Sequence, residues 1–154
     1  PDDLKDRIEG LYVVYQLGPF TRFRYMTRSA LRIIEEAPSA RGALDRVDTD
    51  FPPVAHPLVY TQPETGRKVL NLSPFFALHI DGMDSKESDA LLRRLSDHVL
   101  DSPAYHHTGS LDEMILWDNW RMLHCVSQIP LDETRIMQRT TIKGDYALGR
   151  KLAA

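Results

Sequence analysis

Cysteine is nearly absent from this chain. Cys125 stands alone among 154 residues, so an internal disulfide is excluded and a reducing compartment fits. An excess of one charge is missing too. Nineteen Lys+Arg face 22 Asp+Glu, interspersed along the sequence, which argues against a polybasic nucleic-acid surface and against an acidic tail. No apolar run approaches the roughly 18 residues of a membrane span. Pro1-Asp2-Asp3-Leu4-Lys5 contains no apolar signal core. The expectation is a soluble cytoplasmic protein whose partners are small molecules or other protein chains, with no nucleic acid and no membrane. Cys-x-x-Cys, His-Glu-x-x-His and Gly-x-Ser-x-Gly are all missing, and the eight glycines form no phosphate-cradling loop. Zinc hydrolysis, serine hydrolysis and nucleotide binding are therefore not expected.

What is present suits one domain over residues 1–154, since 42% hydrophobic content at this length supports a real core but not two ordinary ones. Pro1 and Asp2 are placed to start a short helix through Ile8, stopped by Gly10. Met26 to Ala37 reads as a second helix, with Thr27 as N-cap and Leu31, Ile33 and Ile34 buried, ended by Pro38. From Pro38 to Pro57 the polar, Pro-bearing sequence reads as loop. Leu58–Thr61 and Lys68–Leu72 flank a Pro- and Gly-bearing turn and read as a hairpin. Ser85 to Leu100 is the clearest helix, with Leu91, Leu92, Leu95 and Val99 on one face. Strands are expected at Met114–Trp117, Met122–Val126 and Arg135–Ile142, the first two turning at Asp118-Asn119 and the last ended by Gly144. The implied class is α+β with an antiparallel sheet.

The chemistry-bearing residues gather in those last strands. On a strand, Arg135, Met137 and Arg139 share one face, placing two guanidiniums about 13 Å apart. If the face lines a cavity, each cation needs an anionic partner, and the planar fork of arginine suits a carboxylate or sulfonate. The spacing fits equally well an edge strand whose arginines lie in solvent. His124 shares a face with Met122 and Val126, opposite Leu123 and Cys125. The histidine and the thiol are thus not expected on one metal, and Cys125 reads as a small core residue. Taken alone, a single histidine such as His124 among apolar neighbours is usually a hydrogen-bonded core histidine rather than a ligand.

Two stretches together carry a resemblance. One is Trp117-Asp118-Asn119-Trp120-Arg121-Met122-Leu123-His124, followed by arginines 11 and 15 residues after the histidine, at Arg135 and Arg139. The other is His56-Pro57-Leu58-Val59-Tyr60-Thr61-Gln62-Pro63-Glu64-Thr65-Gly66-Arg67-Lys68, leading into Leu72-Ser73-Pro74-Phe75-Phe76. Almost everything from Leu4 to Arg150 resembles the second half of the taurine dioxygenase-like family of iron(II)- and 2-oxoglutarate-dependent oxygenases. The resemblance implies a double-stranded β-helix, or jelly roll, with flanking helices, of which this chain is the C-terminal portion. The implied activity is hydroxylation of a small, acidic organic substrate using O₂ and 2-oxoglutarate, with release of succinate and CO₂. By position, His124 resembles the distal iron ligand and Arg135 the arginine that pairs with the far carboxylate of 2-oxoglutarate. Arg139 matches a residue that meets a substrate anion or supports the co-substrate pocket. Phe76 falls where some members place an aromatic wall against the substrate. Trp117, Asp118 and Asn119 shape the turn that presents His124, and His56 is structural.

The family's His-x-Asp iron pair is the point of departure, because its location would fall before Pro1. A local substitute, His79-Ile80-Asp81, has the right internal spacing, but Asp81-Gly82 also reads as a turn. His106-His107 reads as a loop pair. The competing reading is a non-catalytic remnant or small-anion-binding module. A half jelly roll would expose sheet edges and apolar surface, which a missing N-terminal segment or a second copy would cover.

Overall fold

The computed structural model describes residues 1–17, 25, 42, 46–126, 130, 132–144 and 147–152. The helix expected at Met26–Ala37 lies outside them. The elements are α1 (Asp2–Ile8), β1 (Tyr12–Tyr15), α2 (Val47–Asp50), β2 (Val54–Pro57), β3 (Val59–Thr61), β4 (Lys68–Leu70), β5 (Ala77–Ile80), α3 (Ser85–Leu100) and β6 (Arg150–Lys151). Every described strand pair is antiparallel. The mixed helix-and-antiparallel-sheet class is as expected. One sheet has the order β5-β1-β2-β6, and β3-β4 forms a separate ribbon.

Local chemistry accounts for the helices. Pro1 occupies the N-cap of α1, Asp2 and Asp3 face the positive end of its dipole, and Leu4 and Ile8, four apart, turn inward. Gly10 then adopts φ 78°, a conformation that costs glycine little, and reverses the chain into β1. Asp84 caps α3 by accepting from the N–H groups of Lys86 (2.9 Å) and Glu87 (3.3 Å). Leu91, Leu92 and Leu95 form its buried stripe, with Val99 half-buried. Ser88 ties α3 to the sheet, its buried Oγ accepting from the Ile80 N–H at 2.8 Å.

The core closes between α3, α1 and the sheet. Leu4, Ile8, Val13, Leu58, Leu72, Ile80, Leu91, Leu92 and Leu95 form one buried cluster. β1 is the central strand, pairing Val13 with His56 on one side and with Ile80 on the other. Both of its valines are buried, so its sequence has no alternation to announce it. β2 and α2 occupy ground expected to be loop, and pairing with β1 across the fold is what makes Val54–Pro57 a strand.

The hairpin forms as expected, with Tyr60 opposite Val69. Its turn closes through Gln62 N–H to Arg67 O (2.9 Å) and Gly66 N–H to Gln62 O (2.8 Å), with Gly66 at φ 66°.

The strands expected at Met114–Trp117, Met122–Val126 and Arg135–Ile142 do not form. A strand exists by pairing, and the free edge of β2 is occupied by β6. The segment passes the hairpin making side-chain contacts rather than a ladder, and its apolar residues stay exposed, Leu111 at 93% and Met114 at 90%. Cys125 is likewise exposed, not in the core, because the strand that would have turned it inward is unpaired. Among the described residues, no helix is long and apolar enough to cross a membrane.

His56 has the structural setting expected of it. Its ring meets the edge of Tyr15 with centroids 5.9 Å apart, and a Cβ at Gly149 would lie 2.6 Å from it. Burial lowers the imidazole pKa below 6.5, so the neutral ring is favoured in the fold. The unfolded chain therefore takes up the proton more readily. The contribution to stability is full above pH 6.5 and is lost as the pH falls through the lower folded value. Thermal unfolding is expected to show this acid limb, and His56→Gln is expected to flatten it.

Candidate functional site

The turn from Trp117 to Met122 is a self-contained hydrogen-bonded unit. Asp118 Oδ1 accepts from the Trp120 N–H (3.0 Å), and the Asp118 carbonyl accepts from Arg121 N–H (3.2 Å) and Met122 N–H (3.1 Å). Trp117 Nε1 donates to Asn119 Oδ1 at 3.3 Å. The expectation that these residues shape a turn is met. The hairpin grips the same turn. Tyr60 Oη donates to the Trp120 carbonyl at 2.7 Å, and Gln62 Nε2 donates to Asp118 Oδ2 at 3.3 Å. Burial, reinforced by the Asp118 carboxylate, raises the Tyr60 pKa and keeps the phenol a donor.

Beyond the turn, the His124 ring lies 5.0 Å from the Trp117 ring, inclined by 52°. Its Nε2 lies 3.4 Å from Arg139 Nη1. A guanidinium only donates, so any hydrogen bond here has Nε2 as its acceptor. The structure thus brings His124 and Arg139 together. It does not bring Arg135 to them: Arg135 is exposed and makes no hydrogen bond or ion pair with the described residues. Phe76 is half-buried elsewhere, edge-on to Phe75 at 4.5 Å, with its carbonyl accepting from Gln16 N–H at 3.3 Å.

An iron ion would find a single ligand at this turn, His124. The lone pair that would bind it is turned to Arg139, and no group of three His, Cys, Asp or Glu side chains able to hold a metal occurs among the described residues. Among the described residues, the local His79/Asp81 pair gathers no third ligand. His79 is exposed, and Asp81 is ion-paired to Arg150, whose guanidinium also lies 5.1 Å from the centre of the Tyr12 ring. His107 does find a carboxylate that the sequence reading missed. Glu113 meets its Nε2 at 3.1 Å and accepts from Ser110 N–H at 3.0 Å. That backbone bond is the main reason the Glu113 pKa is lowered.

Comparison with known proteins places this turn and its surroundings in a family. The model of the taurine catabolism dioxygenase TauD, TfdA family matches residues 1–141, and the chain belongs to that family. Among relatives, it is 38% identical over 105 residues to the (S)-phenoxypropionate/alpha-ketoglutarate-dioxygenase of Sphingobium herbicidovorans, covering 68% of this chain and 36% of that one. It is 28% identical over 145 residues to the alpha-ketoglutarate-dependent 2,4-dichlorophenoxyacetate dioxygenase of a Burkholderia species, covering 94% and 44%. The chain spans less than half the length of these curated relatives. A solved structure from Burkholderia xenovorans matches at 32% identity over 63% of this chain and 32% of its own, with a TM-score of 0.40, too partial a likeness to define the fold.

Proposed function

We propose that the protein is an iron(II)- and 2-oxoglutarate-dependent dioxygenase that hydroxylates a small organic acid in the cytoplasm, releasing succinate and CO₂. Residues 1–154 would form the C-terminal portion of its single jelly-roll domain. The observation that carries the reading is the meeting of His124 with Trp117 and with Arg139 beside a turn held by the hairpin, inside the segment the family model matches. His124 would supply one iron ligand, with Arg139 swinging off its Nε2. The other two ligands would come from the part of the relatives' length that this chain does not span. The bound iron would supply the oxidising chemistry.

The roles of this chain's own residues follow from their chemistry. Arg135, with an open guanidinium fork, would take the far carboxylate of 2-oxoglutarate. Arg139, once clear of His124, would pair with a substrate anion or support the co-substrate. Phe76 would form an apolar wall against the substrate. Both relatives carry aryloxyalkanoates in their names, so an acid beside an aromatic or apolar body is the substrate class put forward. The exposed apolar residues of 111–142 would be covered by further chain or by a second copy.

Calorimetry on the protein expressed from its complete reading frame tests the assignment. Iron(II)-dependent binding of 2-oxoglutarate, lost in His124→Gln, is the expected result. Absence of a three-ligand group among the described residues favours a second reading, a small-anion-binding module, which would bind the dicarboxylate equally with and without iron.

A further inference from the structure

We propose that Tyr60 and Gln62, at the end of β3, are positioning residues for His124, acting through the Trp117–Trp120 turn. The proposal rests on the reading above that His124 belongs to the site. The structure raises the question of what fixes this histidine. His124 itself is exposed, and the segment carrying it has no backbone ladder among the described residues.

The hairpin supplies the anchor. Tyr60 and Gln62 are two residues apart, hence on one face, and are 6% and 8% exposed. Their bonds land on two points of one tetrapeptide, the Trp120 carbonyl and the Asp118 carboxylate. The other carboxylate oxygen of Asp118 holds the Trp120 N–H, so both hairpin contacts constrain a single rigid turn. Gln62 is itself oriented: Thr65 Oγ1 donates to its Oε1 at 2.8 Å, which fixes the amide with its NH₂ toward Asp118. The Tyr60 and Trp120 rings add an edge-on contact at 6.2 Å.

The anchored turn then holds both sides of the site. At one end Trp117 meets the His124 ring. At the other, Trp120 lies so close to Gly144 that a Cβ there would sit 2.8 Å from the indole Nε1. Gly144 follows the segment bearing Arg139, so one buried pair on the hairpin sets the relative placement of the histidine and the arginine. Any side chain at 144 would collide with the Trp120 indole and displace one of these two segments.

Proton NMR of the His124 imidazole tests this without metal or co-substrate. The resonance is assigned by its loss in His124→Gln. In the wild-type protein the Trp117 ring, 5.0 Å away, is expected to displace it from its unfolded position. Tyr60→Phe removes one hydroxyl while keeping the ring, and Gln62→Glu sets a carboxylate against Asp118. Both are expected to abolish most of the displacement. Tyr25→Phe, which loses a phenol hydrogen bond to the Asp89 carboxylate (2.9 Å) elsewhere in the fold, is expected to leave it intact. An undisplaced wild-type resonance, an unchanged resonance in both folded hairpin variants, or an equal change in Tyr25→Phe would overturn the proposal. Should Tyr60→Phe fail to fold, Gln62→Glu alone decides. Failure of the oxygenase reading would show separately, as wild-type protein that binds no 2-oxoglutarate while the His124 displacement persists.

Discussion

Arg135→Ala is expected to weaken 2-oxoglutarate binding roughly a hundredfold. A guanidinium–carboxylate pair is charge-assisted and bidentate, worth about 3 kcal/mol, and each 1.4 kcal/mol is a factor of ten. Arg135→Lys keeps the charge but not the planar fork, so it should recover only part of the loss. The experiment isolates binding from folding. Arg135 is exposed and unpaired among the described residues, so its removal should change stability by no more than about 0.5 kcal/mol. Titration calorimetry with 2-oxoglutarate reads the affinity and thermal unfolding reads the stability. Equal affinity in wild type and Arg135→Ala would remove Arg135 from the site.

Leu92→Ala is expected to lower the unfolding free energy by about 2–5 kcal/mol, the range for emptying a leucine-sized space in a packed core. Leu92 is fully buried, between Leu91 and Leu95 on the face of α3 that packs with Ile80, Val13, Leu4 and Ile8. Denaturant unfolding gives the loss directly. Leu100→Ala, at the exposed end of the same helix, is the internal control and should cost less than about 0.5 kcal/mol. Similar losses in the two variants would mean that α3 does not present this face to the core.

Elements whose cause is local were legible in the sequence. α3 runs from Ser85 to Leu100 as its leucine spacing requires, and the hairpin forms around Gly66 because that turn needs a positive φ. Elements whose cause is distant were not. β1 is covered on both faces, so Val13 and Val14 hide the alternation that marks half-buried strands. β2 is a strand because Ala55 and His56 pair with β1, more than 40 residues earlier in the chain. The converse failure occurs at 114–142, where β-forming residues are present but no described edge receives them. Cys125 and the Arg135 face follow that same outcome.

The site divides along the same line. The resemblance to the family, not spacing alone, singled out His124 and Arg139, and the structure sets Arg139 Nη1 3.4 Å from His124 Nε2. The grip of Tyr60 and Gln62 on the turn spans 60 and 56 residues, and no local pattern encodes it. A polar Gln62 buried at the end of a strand was the available sign, since a buried amide requires partners.

Succinate formation is the most direct test of the assignment. The protein expressed from its complete reading frame would be supplied with iron(II), O₂, 2-oxoglutarate and an aryloxyalkanoic acid. The account predicts succinate that requires iron and disappears in His124→Ala. A folded wild-type protein that forms none, or forms it equally without His124, would contradict the dioxygenase assignment.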